Sequence, residues 1–421
     1  MRASSEVASV RSPRPGQKVR SRTGPGFLRF GLLVLLLGVL GLKCFYTKTS
    51  VQDADLWLHL KVGDWIVHHH AVPFTDAFSW TAAGRPWLAY SWLPEVLLYL
   101  AYRGFGIVGI GVYGTCLTLL TASAVMLMAW RLSGRFWLSC LLAAAACDAF
   151  LFNSLPRPLF FSMISLCVML ALLLLAHRTE NVRLLYWLPL LFWIWSNSHV
   201  QFIYGIAVLG LFVATILVQR MAAHFGMPSW WMPSTLPPWT LLAIFVACLL
   251  ATLLGPYSFH LYARAYAYSQ AKAIYALVLE LQPLSFRSPH HYVQLLLTAA
   301  AFFAVGWNKK IDVFKLVLLV MCTVVAYRAL RESWFICIAS VACIADSAVN
   351  QPDTESRQVF PTITFAFVAA WCCLLPFAHL MDFDTHGLAE TISDSFPVRA
   401  ADAIRGKKLP GSTTASIGAH S

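Results

Sequence analysis

The sequence predicts an all-α integral membrane protein with about eleven transmembrane helices. Mean hydropathy is +0.66 and only 12% of the residues are charged, values outside the range of soluble globular proteins. Apolar runs long enough to cross a bilayer recur along the whole chain of 421 residues. Together these observations indicate a polytopic helical protein.

The chain divides into a basic tail (1–26), a multi-span domain (27–380) and a short polar tail (381–421). The first tail is rich in Ser, Pro and Arg, which predicts disorder. The predicted spans cover residues 27–46, 106–130, 136–155, 159–176, 184–197, 201–219, 238–254, 292–307, 312–327, 333–349 and 360–380.

Basic residues set the predicted orientation. The tail is strongly basic and every second connection between spans carries Lys or Arg, so we place both on the cytoplasmic side. The other connections and the C-terminal tail are then exoplasmic. Because much of the net charge of +12 lies in the tail, it does not indicate a nucleic-acid partner.

The first exoplasmic loop, about residues 47–105, contains two amphipathic segments. Leu56–His68 and Trp87–Tyr102 mix apolar and charged residues, which predicts helices that lie in the interface rather than span the bilayer.

Two carboxylates, Asp53 and Asp55, stand just before the first of these segments. In extended backbone they could both turn toward one cation or one reacting hydroxyl, so we regard them as candidate catalytic residues. An equally compatible interpretation is that Asp55 is the N-cap of a helix that begins at Leu56, with Asp53 solvated.

Other polar residues are predicted to reach the same exoplasmic surface. They are Arg157, Asn197, His199, Glu280, Arg328 and Arg331. Taken singly, each is better explained as a turn, a satisfied interfacial residue or a side chain that snorkels to head groups. Taken together, arginines beside paired carboxylates favour a substrate that carries a phosphate.

Two acids, Asp148 and Asp346, fall inside predicted spans, where ionisable groups often serve transport. They support a lipid or glycan transporter as an alternative. Three consecutive histidines, 68–70, cannot all face one ion in regular structure and are expected in a solvated loop. The sequence contains no nucleotide-binding glycine loop, zinc-protease motif or serine nucleophile motif.

The motif Asp53-x-Asp55-Leu-Trp-Leu-His59-Leu resembles the first exoplasmic loop of bacterial proteins in the GT-C glycosyltransferase superfamily. The most similar branch is the polyprenyl-phosphate-sugar-dependent mannosyl- and arabinosyltransferase-like group. The segments Arg157-Pro158, Trp195-x-Asn197-x-His199, Gly255-Pro-Tyr257, Glu280 and Arg328/Arg331 are similar to later motifs of that group. The resemblance covers roughly residues 50–410.

This resemblance implies a GT-C-like helical core in the bacterial inner membrane, with the active face exoplasmic. It also implies sugar transfer from a polyprenyl-phosphate donor to an envelope glycan, glycolipid or protein. Asp53 or Asp55 would act as general base or hold a divalent cation, Mg or Mn. The donor phosphate and substrate would be bound by His59, Arg157, Asn197, His199, Glu280, Arg328 and Arg331. A non-catalytic assembly protein is a further alternative.

Overall fold

A computed structural model describes residues 53–151, 157–226, 231–232, 234–270, 278–308 and 310–350, with a few isolated residues elsewhere. These residues are mostly helical, and no β-strand occurs among them. The structure does not describe the two tails or the predicted spans 27–46 and 360–380, apart from those isolated residues. The predicted orientation of these segments therefore stays a prediction.

The described α-helices follow in chain order. They are α1 Ala54–His69, α2 Trp92–Ser133, α3 Phe136–Leu151, α4 Leu159–Thr179, α5 Leu188–Ser198, α6 Phe202–His224, α7 Pro238–Thr252, α8 His260–Ser269, α9 Pro289–Gly306, α10 Val313–Arg328 and α11 Ser333–Ser347. Short 3-10 helices cover Val182–Trp187, Leu279–Leu281, Leu330–Glu332 and Ala348–Asn350.

The predicted span boundaries agree with these helices to within a few residues, but the count of eleven spans is not confirmed. Within the described chain, three helices are long and apolar enough to cross a membrane: α2, α4 and α6. Helices of 11 to 16 residues, such as α5 and α11, rise only about 16–24 Å, less than a hydrocarbon core of about 30 Å. Hydropathy counts such helices as spans whether their apolar residues are buried inside the protein, as along α11, or exposed, as are Leu190, Trp193 and Ile194 of α5.

The first loop contains both predicted helices. The segment Leu56–His68 corresponds to α1, and Trp87–Tyr102 corresponds to the first part of α2, residues 92–105, which a kink separates from the rest of α2. The kink lies at Gly106, whose φ of 59° is unfavourable for residues with a Cβ. The predicted end of the loop at residue 105 therefore coincides with the break between the two helical parts of α2.

Familiar sequence signals mark the first and last residues of several helices. Asp53 caps the start of α1 and Asp312 caps the start of α10 by accepting a bond from the backbone N–H of Lys315 at 3.3 Å. Gly134 ends α2 in the left-handed conformation. Proline stands in the first turn of α7 and α9, where the missing N–H costs nothing.

Two helices organise the packing. Helix α2 contacts α1, α3 and α4, while α11 lies among α2, α3, α4, α9 and α10 and is buried along nearly its whole length. A second, smaller apolar cluster that includes Leu56, Leu60 and Leu98 fixes α1 against α2. The described cysteines are free thiols, and all but Cys116 are buried.

Charged residues gather at both ends of α4, which are about 30 Å apart. The distal charge cluster consists of His177, Arg178, Asp312, Lys315 and Asp346. His177 Nδ1 lies 3.2 Å from Asp312, Arg178 lies 2.9 Å from Asp346, and Lys315 also contacts Asp346. The opposite end begins at Arg157 and carries the candidate site.

Candidate active site

The carboxylate of Asp53, not that of Asp55, caps helix α1. Asp53 has extended backbone (φ −76°, ψ 115°), and its Oδ1 accepts a hydrogen bond from the backbone N–H of Asp55 at 3.2 Å. The alternative that made Asp55 the cap is therefore wrong by two residues. Asp55 instead stands in the first turn, where its negative charge favours the helix N-terminus.

Arg157 connects three parts of the chain. Its Nε and Nη2 donate to the two oxygens of Asp53 at 2.9 and 3.0 Å, a bidentate pair. Its Nη1 lies 3.0 Å from both oxygens of Glu280, and its Nη2 lies 3.6 Å from Asp55. We call Asp53, Asp55, Arg157 and Glu280 the Arg157 cluster.

The carboxylates of the cluster stabilise the charge of Arg157, and those of Asp53 and Glu280 accept hydrogen bonds from its guanidinium. Burial opposes the charge, but the hydrogen bond and charge of Asp53 and the charges of Glu280 and Asp55 raise the pKa of Arg157. The sequence suggested this guanidinium as a phosphate ligand. In the structure its donors face carboxylates, and the acids outnumber the base.

The carboxylates differ in their availability. The Asp53 side chain is 7% exposed and both of its oxygens accept bonds from Arg157. The Asp55 side chain is 61% exposed, and its closest approach to Arg157 is too long for a hydrogen bond. Asp55 is therefore the carboxylate of the pair that is free to accept a hydrogen bond from a bound molecule.

The Arg157 cluster does not fit the divalent cation that the sequence suggested for Asp53 and Asp55. A hard cation needs several oxygens converging on one point. Here a guanidinium lies between the carboxylates and takes both oxygens of Asp53. No group of three or more His, Cys, Asp or Glu side chains in the described chain could hold a metal ion.

A second pair, His59 and Glu95, lies next to this cluster. His59 is one turn after Asp55 on α1, and its Nδ1 is 2.8 Å from Glu95 Oε1 in the first turn of α2. Helix α1 can lie close to α2 at this point because Gly63 has no side chain. A Cβ at this position would stand 2.1 Å from the Glu95 carbonyl oxygen. Sequence reasoning did not select Glu95, although its place in an apolar helix start was a signal for a buried role.

His199 lies deeper. Its Nδ1 is 2.8 Å from Ser162 Oγ, which also accepts a hydrogen bond from Trp195 Nε1 at 2.8 Å. Burial lowers the pKa of His199 well below its ordinary value, and the nearby charges of Arg331 and His59 lower it further. At neutral pH His199 is therefore an uncharged imidazole that contributes shape and hydrogen bonds rather than charge.

The segment after α10 brings Arg331 and Glu332 to the same end. Gln201 Nε2 donates to both oxygens of the buried Glu332 at 2.9 Å. Burial raises the pKa of Glu332 to about 6, although the charge of Arg331 opposes the shift. Arg331 is half-buried and forms no ion pair within 4.0 Å in the described chain, whereas Arg328 is exposed.

Asn197 is held entirely by the protein. Its Nδ2 donates to the Trp193 carbonyl at 2.8 Å, and its Oδ1 accepts from Trp92 Nε1 at 3.1 Å. Gly255 fits against it, because a Cβ there would lie 2.6 Å from the Asn197 Oδ1. Asn197 therefore joins the start of α2 to the end of α5.

The acids that suggested a transporter have partners. Asp148 lies 3.0 Å from His290, and Asp346 belongs to the distal charge cluster. His68 and His69 contact the backbone carbonyls of Asp64 and Trp65 one turn earlier, at 2.9 and 2.8 Å.

Comparison with solved structures supports the fold, although the sequences have little in common. No family model and no curated protein sequence matches the chain. Among solved structures it is similar to the oligosaccharyltransferase AglB from Archaeoglobus fulgidus in complex with an inhibitory peptide and a dolichol-phosphate (TM-score 0.57, 11% identity). It is also similar to the apo form of the Archaeoglobus fulgidus oligosaccharyltransferase (TM-score 0.54, 11% identity). The similarity covers 92% of this chain in both cases, but only 58% and 59% of the archaeal chains. The helical membrane fold of this protein is thus shared with those enzymes.

Proposed function

We propose that this protein is a membrane glycosyltransferase that moves a sugar from a polyprenyl-phosphate donor to an envelope glycan, glycolipid or protein. The observation that carries the proposal is the Arg157 cluster, which joins α1, the start of α4 and the segment around Glu280 at one end of the bundle. The fold is similar to that of an enzyme solved with a dolichol-phosphate, which supports a lipid-phosphate donor here.

The acceptor would bind beside Asp55. This carboxylate is exposed and has free oxygen lone pairs, so it can accept a hydrogen bond from an acceptor hydroxyl. Asp53 and Arg157 hold the start of α1 in place through the bidentate pair. The cluster therefore acts as a rigid platform that orients the hydroxyl toward the sugar.

The donor phosphate would bind at Arg331. Unlike Arg157, this arginine has no carboxylate partner in the described chain, so its guanidinium fork is available for phosphate oxygens. Two residues lie close to Arg331: the neutral His199, and Glu332, which accepts hydrogen bonds from the side-chain amide of Gln201. Displacement at the anomeric carbon from the Asp55 side would invert its configuration and release the polyprenyl phosphate.

We place this reaction on the exoplasmic face of a bacterial inner membrane, with the N-terminus in the cytoplasm. The orientation rests on the basic tail and the basic connections between spans. Membrane lipid surrounds the apolar helices. Asp148 and Asp346, the residues that favoured a transporter, are paired in the structure.

Replacement of Asp55 tests the proposal. Asp55→Asn keeps the size of an exposed side chain but removes its charge, so we expect transfer to fall on the order of 100-fold with normal membrane insertion. The Asp53→Asn/Asp55→Asn variant should lose transfer completely. The assay measures radiolabelled sugar moved from polyprenyl-phosphate mannose or arabinose to envelope material in membranes.

Asp64→Asn is the matched control, because Asp64 lies on the same helix and pairs with Lys61 on the surface. It should transfer sugar like the wild type. Undiminished product from the double variant contradicts the assignment. Movement of lipid-linked sugar across proteoliposomes without covalent product would support a transporter, and neither activity would support an assembly protein.

A further inference from the structure

We propose that His59, held by Glu95, is the base that removes the proton from the acceptor hydroxyl. This inference rests on the proposed transfer reaction and assigns the proton to an imidazole rather than to Asp53 or Asp55. It also gives Glu95 a role as a positioning residue.

The first support is the geometry of the pair. His59 Nδ1 and Glu95 Oε1 are 2.8 Å apart, and the two side chains are 17% and 5% exposed. Glu95 Oε2 is buried and has no hydrogen-bond partner in the described chain, so His59 is the group that balances this carboxylate. A carboxylate that accepts from Nδ1–H fixes the tautomer and leaves the lone pair on Nε2.

The second support is the position of Nε2. It makes no hydrogen bond within the described part of the chain, and the ring remains partly exposed. His59 follows Asp55 by four residues, so their Cβ atoms lie on one face of α1, about 5–6 Å apart. A hydroxyl bound to Asp55 would therefore be within reach of the imidazole.

Apart from Asp55, which would bind the acceptor hydroxyl, the other carboxylates at this end and His199 are already engaged. Both oxygens of Asp53 face Arg157, and Glu280 also accepts from Arg157. His199 is buried with its Nδ1 on Ser162. Among the described residues of this site, His59 alone combines an orienting carboxylate with an unbonded second nitrogen.

The step balances as follows. The acceptor O–H proton moves to His59 Nε2 while the acceptor oxygen forms a bond to the anomeric carbon. The bond from that carbon to the phosphate oxygen breaks, and its electron pair leaves with the polyprenyl phosphate. Glu95 stabilises the imidazolium until water takes the proton.

Two variants separate this role from structural and phosphate-binding roles. We expect His59→Ala to lower kcat about 100- to 10,000-fold, the range for loss of a general base, with donor KM unchanged. Added imidazole should restore part of the activity of this variant. Glu95→Gln should also lower kcat, and the double variant should be no slower than His59→Ala because both residues serve one step.

Binding of polyprenyl phosphate to the purified full-length protein, followed as an increase in thermal stability, checks the fold of each variant. His59→Ala should bind it like the wild type. Full activity of His59→Ala, weakened polyprenyl-phosphate binding, or a folded variant that imidazole does not restore would overturn the dyad. An inactive wild type would instead refute the proposed transferase, whereas an active wild type and an equally active His59→Ala would refute the dyad alone.

Discussion

At the scale of single residues, Arg157 decides how the carboxylates at this site can behave. Its Nε, Nη1 and Nη2 all face acids, and the Asp53 pair is bidentate. A guanidinium is always charged and presents its donors in a fixed plane, so it neutralises and orients two carboxylates at once. It thereby performs the charge compensation that a metal ion would otherwise supply.

Removal of Arg157 should therefore expose a latent cation site. In Arg157→Ala three carboxylates lose their shared partner, so we expect transfer to disappear and Mn²⁺ to bind, observed as loss of the free-ion electron paramagnetic resonance signal. The wild type should bind no Mn²⁺ there and should keep its activity in EDTA.

Arg85→Ala is the control, since it removes an exposed guanidinium from the first loop. It should leave both readouts unchanged. If EDTA abolished the wild-type activity and Mn²⁺ restored it, Arg157 alone would not be compensating the charge of the carboxylates.

The sequence predicted that Asp53, Arg157 and Glu280 would share one surface, but not that they would bind each other. Topology could place them together because each follows or precedes an apolar helix. Their contacts join residues 104 and 123 positions apart, and such pairing depends on tertiary packing that no local pattern encodes. Glu95 was missed for the same reason, because its partner lies on another helix.

At the scale of helices, the contact between α1 and α2 positions the His59–Glu95 pair. Gly63 permits the approach, since a Cβ there would stand 2.1 Å from Glu95 O and 2.8 Å from Tyr99 Cβ. The span predictions located most of the described helix ends to within a few residues, because apolar runs in the sequence end near the ends of the helices. The number of spans is not confirmed, because burial inside the protein and burial in lipid select the same apolar residues.

Gly63→Ala should push α1 away from α2. We expect a stability loss of about 1–3 kcal/mol from overpacking and a fall in kcat, because His59 would move off Glu95. Gly104→Ala is the matched control on α2: its Cβ would meet nothing within 4 Å, so it should be neutral or stabilising by up to about 1 kcal/mol. If the two variants were equally active and equally stable, the close contact of α1 with α2 at Gly63 would not be what positions His59 against Glu95.

At the scale of the whole molecule, charge is separated into two clusters at opposite ends of α4. The Arg157 cluster is partly exposed, whereas the distal charge cluster is almost completely buried except for Arg178, whose side chain is 26% exposed. Lys315 and Asp346 have side chains only 7% and 6% exposed. Buried charges persist only when paired, so this cluster fixes how α4, α10 and α11 meet.

Lys315→Met tests this division of roles. It leaves Asp312 and Asp346 buried with fewer partners, so we expect a loss of about 3–5 kcal/mol in unfolding free energy, measured by denaturant titration in detergent. Transfer activity per folded molecule should not change, because about 30 Å separates the two ends of α4.

Lys61→Met provides the comparison, since Lys61 pairs with Asp64 on the surface with 41% and 28% of the two side chains exposed. Such pairs contribute about 0–1 kcal/mol, so this variant should be nearly as stable as the wild type. A Lys315→Met protein as stable as Lys61→Met would show that the buried pair does not hold the helices. A folded Lys315→Met protein with reduced transfer would show instead that the two ends communicate, which requires the helices around α4 to move together during the reaction.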